Sequence, residues 1–147
     1  MSMFSKAETQ FLTSERVAHI ATVNADMQPH VVPICFALDK EDIVTSLHVK
    51  SRRLWNLKRG SKVSVLVDRY EEDKGQWKVL RGLLIYGKAK LLTFQENREE
   101  FMHCWKLLIQ KYPQYKQWAS ADLTPKDPDV RGIMKIEPQK VTRWGFE

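Results

Sequence analysis

Cysteine is scarce in this 147-residue chain, whose two thiols, Cys35 and Cys104, stand far apart without Cys-x-x-Cys or Cys-x-x-His spacing. The pattern therefore offers neither a disulfide framework nor a metal site, and both thiols read as buried side chains in apolar segments. Long apolar runs are also missing. Val31 to Leu38 and Leu83 to Tyr86 fall far short of the roughly 20 residues a membrane helix needs, so no membrane partner is expected. The start, Met1 to Glu8, lacks the basic, apolar and small-residue blocks of a secretory leader, which points to a cytoplasmic protein. Glycine and proline are few and scattered. With no linker and no internal repeat, the expectation is a single domain over residues 1–147.

Apolar material is plentiful: 43% of residues are hydrophobic, including five Trp and six Phe, enough for a real core. The net charge of +6 invites an anionic partner, which could be nucleic acid, a membrane surface or a phosphorylated small molecule. Charge alone does not choose among them.

Ser5-Lys6-Ala7-Glu8 has capping-box spacing and opens a short helix with Phe11 and Leu12 on its apolar face. The period then changes to two. Val17 to Val23 and His30 to Leu38 read as a hairpin about Asn24-Ala25-Asp26, and Pro33, which has no ladder donor, marks an edge or a bulge. A strand follows from Ile43 to Leu47. Ser51 then caps a short helix that ends at Gly60. Alternation resumes at Val63, the charged stretch Arg69 to Gln76 reads as a loop, and a long run from Trp77 to Leu92 is broken by Gly82 and Gly87. Thr93-Phe94-Gln95-Glu96 has capping-box spacing again. Phe101, Trp105, Leu108, Ile109 and Tyr112 make one helical face that stops at Pro113. Residues 119–130 read as an irregular connection, and Gly132 to Phe146 as final strands split at Pro138. The whole predicts a mainly β, six-stranded antiparallel barrel with peripheral helices.

The most informative segment is Lys50-Ser51-Arg52-Arg53-Leu54-Trp55-Asn56-Leu57-Lys58-Arg59. A helix favours acids in its first turn and bases in its last, because its free N–H groups make the N-terminus positive. Lys58 and Arg59 obey that rule. Lys50, Arg52 and Arg53 break it, crowding cations onto the end that is already positive, an arrangement a bound phosphate would turn into charge-assisted hydrogen bonds. A solvated run of snorkelling side chains is the plain alternative, and a nucleic-acid phosphate is a third.

The ordered succession of Arg16 to Asp26 (RVAHIATVNAD), Pro29 to Leu38 (PHVVPICFAL), Lys50-Ser51-Arg52-Arg53, Val63 to Asp73 (VSVLVDRYEED) and Tyr86 to Ala89 (YGKA) resembles the pyridoxamine 5'-phosphate oxidase-like split β-barrel superfamily. It is most similar to the branch described as deazaflavin-dependent. The resemblance runs from about Phe11 to Phe146. It implies a homodimer with cofactor sites at the subunit interface, FMN or the deazaflavin coenzyme F-420 as cofactor, and hydride transfer to or from a small organic substrate. It implies that Lys50, Ser51, Arg52 and Arg53 hold the cofactor phosphate, that Pro33, Ile34, Cys35 and Phe36 lie along the ring with backbone N–H groups on its polar edge, and that Thr45 and Ser46 flank it. Trp77 and Trp144 correspond to aromatics reaching toward the ring, from the same subunit or its partner.

Two departures refine this reading. Met27 stands where the family often has a turn glycine, and the basic, histidine-containing C-terminal motif of true pyridoxamine-phosphate oxidases is missing, so that vitamin is not the expected substrate. No catalytic acid or base is identified. His30 is a candidate proton donor, and Cys35 lacks a basic partner that would make it a nucleophile. A non-catalytic protein that binds FMN or a deazaflavin, and a basic nucleic-acid-binding barrel, remain as alternatives to the enzyme.

Overall fold

A computed structural model describes residues 2–59 and 61–146, without the side chains of Lys58 and Arg59. Helix α1 (Lys6–Ser14) opens with the expected capping box: Ser5 Oγ accepts from Glu8 N–H, and Glu8 accepts from Ser5 N–H. The carboxylate of Glu8 is buried and also takes Nε of Arg143, tying the helix to the last strand.

Strands β1 (Ala18–Val23) and β2 (Pro29–Ile34) pair as the predicted hairpin. Asn24 builds the turn, its side-chain oxygen accepting from the N–H groups of Asp26 and Gln28, both at 2.9 Å. Met27 occupies the left-handed region at φ 64°, so the glycine's conformation is kept without the glycine, at a cost of about 1 kcal/mol. Strands β3 (Ala37–Asp39) and β4 (Asp42–His48) form a second hairpin. After helix α2 (Arg52–Arg59) come β5 (Lys62–Asp73) and β6 (Gln76–Thr93), then helix α3 (Arg98–Lys111), a 3-10 helix (Pro113–Trp118) and β7 (Arg131–Trp144). The predicted stop of α2 at Gly60 lies outside the described residues.

The strands make one antiparallel sheet in the order β2-β1-β5-β6-β7-β4-β3, seven strands rather than the six expected. The extra strand arises because the run His30 to Leu38 breaks at Cys35-Phe36 into β2 and β3. Those halves form the two opposite edges of the sheet, yet only two residues join them, so their ends lie within about 11 Å. The sheet must therefore curl until its edges approach. Pro33 sits on the edge strand β2, where its missing donor costs nothing, as expected.

Three other expectations change. Arg69 to Asp73 belongs to β5, not to a loop: Lys74 and Gly75, both at positive φ, supply the two-residue turn that keeps β5 and β6 paired to their tips. Only half of the second capping box forms: Thr93 Oγ1 receives Glu96 N–H as expected, but Asn97 Oδ1 rather than the Glu96 carboxylate receives Thr93 N–H, and α3 begins later, at Arg98. Pro138 does not split the last run, because the register shift at Tyr86/Gly87 accommodates it within β7.

Two hydrophobic clusters result. One fills the curl of the sheet with Phe11, Ile20, Phe36, Ile43, Val65, Ile85 and Ile136. The other packs Phe101, Trp105, Leu108 and Ile109 of α3 onto Val44 and Ile133, the opposite face of β4 and β7. Helix α3 also contributes to a charged clamp, in which Lys135 Nζ lies 2.8 Å from Asp39 and 3.3 Å from Glu100, and His103 Nε2 lies 3.0 Å from Asp39. Burial raises the pKa of Asp39, but the hydrogen bonds to Lys135 and His103 outweigh it and hold the group below its ordinary value of 3.8. A carboxyl lowered on folding stabilises the protein above its unfolded pKa and loses that contribution as pH falls through the folded value. Replacing Asp39 by Asn is therefore expected to flatten the decline of Tm below about pH 4 relative to the unmodified protein, in melting curves taken across pH.

Candidate functional site

The loop between β4 and α2 is pinned at both ends. Val49 N–H donates to Val130 O at 2.9 Å, Lys50 N–H to His48 Nδ1 at 3.1 Å and Ser51 N–H to His48 O at 2.9 Å. Ser51 occupies the cap position of α2 by backbone, its carbonyl accepting from Leu54 and Trp55 N–H. Its hydroxyl, however, is buried and has no hydrogen-bond partner among the described residues. The same is true of Nη1 of Arg53. Leu54 is buried against the core, and Asn56 donates from Nδ2 to Thr22 Oγ1 at 2.8 Å, which fixes the rotation of the helix against β1.

That rotation divides the basic cluster. Lys50 and Arg52 are exposed and share an open cavity of about 430 Å³ with Asn24, Ala25, Asp26, Trp55 and Asn56, between the β1–β2 turn and α2. Arg53, three residues from Asn56 and so on its side of the helix, turns inward toward Tyr115. Burial pulls its pKa below the ordinary guanidinium value, and the Tyr115 side chain works the other way. Leaving a guanidinium nitrogen and a hydroxyl buried and unpaired costs roughly 1–3 kcal/mol apiece. An anion with several acceptor oxygens, such as a phosphate monoester, has the chemistry to pair with donors of this kind, although neither Ser51 nor Arg53 lines the cavity that holds Lys50 and Arg52. His30, opposite Thr22 on β2, carries a third buried unpartnered atom, Nδ1.

The segment predicted to lie along a ring is more committed than its sequence suggests. Ile34 and Phe36 are core side chains, Phe36 N–H donates to Tyr112 Oη at 3.1 Å, and Cys35 O accepts from Thr45 Oγ1 at 2.7 Å. Phe36 N–H is thus spent inside the protein and is not offered to a ligand, a correction to the expectation for residues 33–36. Thr45, fully buried, ties the β2–β3 break to β4, leaving Cys35 and Ser46 as the half-buried members of the group. Trp77, 71% exposed, pairs with Glu72 near the hairpin tip, ten residues along β5 from Lys62 and so roughly 33 Å from the α2 end of the sheet. Trp144 lies over Gly82, where no side chain could fit. Neither tryptophan is gathered with the basic cluster.

Arg131 was missed by the sequence reading. It begins β7, donates from Nη1 to Ser46 Oγ at 3.3 Å, and lies 5.6 and 5.4 Å from the Trp105 and Trp118 rings. Its Nη2 pairs with Asp127 Oδ2 at 3.5 Å, while Arg131 Nε and Asp127 Oδ1 are buried without hydrogen-bond partners among the described residues. A lone arginine ahead of the apolar run Gly132 to Met134 was the available signal. Of the thiols, Cys104 is buried, and burial pushes its pKa up to about 11, which makes it inert. Among the described residues no three His, Cys, Asp or Glu side chains gather as a metal site, and no helix is long and apolar enough to cross a membrane.

A family model described as pyridoxamine 5'-phosphate oxidase matches residues 4–145. The chain belongs to this family. A curated relative in Streptomyces rimosus, 5a,11a-dehydrotetracycline/5a,11a-dehydrooxytetracycline reductase, is 29% identical over 115 residues, covering 76% of this chain and 79% of that protein. Among solved structures, an F420 reductase superposes with a TM-score of 0.67 at 20% identity, covering 95% of this chain and 98% of its own. The heme storage protein HutZ of Vibrio cholerae superposes with a TM-score of 0.73 at 16% identity, covering 97% and 94%. One fold thus serves a reductase and a heme protein, so membership of the pyridoxamine 5'-phosphate oxidase family establishes the scaffold, and chemistry must be argued from the site.

Proposed function

We propose that this protein is an oxidoreductase that holds the phosphate of FMN or of coenzyme F-420 at the head of α2 and transfers a hydride between that cofactor and a small organic substrate. The observation that carries the proposal is the pair of buried donors Ser51 Oγ and Arg53 Nη1, unpartnered among the described residues, at the start of α2, adjacent in sequence to the exposed cations Lys50 and Arg52. The reductase name of the Streptomyces relative supports the redox reading. The cofactor, when bound, supplies the hydride chemistry. The chain's own residues hold the phosphate and fix the β2–β3 break through Thr45 and Tyr112.

The functional unit in this reading is a homodimer. The sheet's outer face exposes Val31, Val23 and Tyr86, and Trp77 lies too far from its own α2 to serve that site, so it would serve the partner's. The deciding experiment titrates purified protein with FMN and with coenzyme F-420 in separate absorbance series, then measures turnover of the reduced cofactor with a panel of small acceptors. Binding with turnover above that of free cofactor is expected. Binding without such turnover replaces the enzyme by a sequestering protein, and indifference to both cofactors alongside salt-sensitive nucleic-acid binding replaces the site altogether.

A further inference from the structure

A second cavity, of about 400 Å³, opens between the end of α1, β3 and the end of α3, lined by Thr13, Arg16, Ala37, Leu38, Leu107, Gln110 and Lys111. None of these residues lines the α2 cavity. Its floor is apolar and its two cations are Arg16 and Lys111. Lys111 Nζ is drawn inward, donating to the terminal-turn carbonyl of Leu12 at 3.0 Å and lying 3.7 Å from the centre of the Phe36 ring. The guanidinium carbon of Arg16 lies 4.3 Å from the centre of the Tyr112 ring. The plain role of Lys111 is to close the C-terminus of α1, where a cation complements the free carbonyls. A cap alone requires neither a cavity nor a second cation in its wall.

We infer that this cavity is a covalent carbonyl site, in which the Lys111 amine forms an imine with a small aldehyde that also carries a carboxylate, the carboxylate being held by Arg16. The amine lone pair attacks the carbonyl carbon, the two N–H hydrogens leave with the carbonyl oxygen as water, and a C=N bond replaces C=O. No oxidant or reductant is consumed. Ala37, Leu38 and Leu107 provide the apolar wall that favours loss of water, and the planar guanidinium suits the two oxygens of a carboxylate.

The electrostatic surroundings agree. Lys111 faces Arg16 and Glu15 from the α1–β1 connection, the Cys35 thiol from the β2–β3 break and, at 5.6 Å, the Tyr112 ring at the end of its own helix. Burial and then the neighbouring Arg16 pull the Lys111 pKa down to about 8, with Cys35 and Glu15 acting weakly against them. Near neutral pH the reactive neutral amine is therefore far more abundant here than at an ordinary lysine of pKa about 10.4. Lower basicity also lowers intrinsic nucleophilicity, which leaves a net rate advantage of about tenfold.

The test treats the full-length protein at pH 7 with 4-formylbenzoate and sodium cyanoborohydride, which reduces the imine to a stable amine, and maps the adducts by peptide mass spectrometry. Lys111 is expected to be labelled about tenfold faster than the other lysines, with a rate that rises through pH 8. The preference should shrink when neutral benzaldehyde replaces the probe, and equally in Arg16→Gln. Uniform labelling of lysines overturns the site. Equal labelling of Lys111 by the two aldehydes overturns the carboxylate assignment, and neither outcome bears on cofactor binding at α2.

Discussion

Replacing Arg53 by Met is expected to weaken cofactor binding by about 100-fold while leaving the ligand-free protein as stable as before, or slightly more so. The two halves of this result have one cause. Arg53 is drawn into the protein with Nη1 unpaired, so the ligand-free fold already bears the cost of a poorly solvated cation. Methionine keeps most of the side-chain volume and removes that cost. A phosphate bound at the head of α2 would lose a charge-assisted hydrogen bond worth roughly 2–3 kcal/mol, which is about two decades of affinity. Ser51→Ala should act the same way with about a tenfold loss, since its unpaired hydroxyl stabilises nothing in the ligand-free state. The readouts are cofactor titration and urea unfolding on the same preparations. A fall in stability with unchanged affinity would falsify the phosphate assignment and make Arg53 a structural residue.

Trp105→Ala is expected to cost about 3–5 kcal/mol, seen as a lower urea midpoint with little change in slope. Trp105 is fully buried, stacks with Phe101 at 6.4 Å, packs against Tyr115 at 5.7 Å, and donates from Nε1 to Leu123 O at 2.9 Å. Truncation opens a cavity beneath the irregular 119–130 segment and strips a carbonyl of its partner. It also removes one of the two rings against which Arg131 lies. Trp105→Phe separates these contributions, restoring much of the packing but not the hydrogen bond, and should lose only about 1–2 kcal/mol. A loss below about 1 kcal/mol for the alanine variant would mean that α3 is not part of a close-packed core.

Local signals carried the element pattern well. Ser5 and Glu8 announced α1, the alternation from Val17 to Val23 announced β1, and the spacing of Phe101, Trp105, Leu108 and Ile109 announced the buried face of α3. Where local chemistry misled, long-range pairing had overruled it. Arg69 to Asp73 is poor strand material by composition, yet β6 supplies a partner across the Lys74-Gly75 turn and holds it in the ladder. Thr93 to Glu96 makes half of its capping box, yet Asn97 rather than Glu96 takes the Thr93 N–H, and the helix starts only at Arg98.

The basic cluster that opens α2 was legible in the chain alone, because cations at a helix N-terminus are unfavourable whatever surrounds them. Which of those cations meets water and which is buried could not be read there. That depends on how Asn56 and Leu54 seat the helix against β1 and the core, and on Tyr115, brought beside Arg53 by the fold. The Arg131–Ser46 contact joins positions 85 residues apart, a separation no periodicity encodes. Sequence by itself determined the scarcity of thiols, the β-rich periodicity and the misplaced charge. Tertiary structure alone decided that Ser51 and Arg53 keep donors without partners, because an unpaired group is defined by what every neighbouring element leaves unsatisfied.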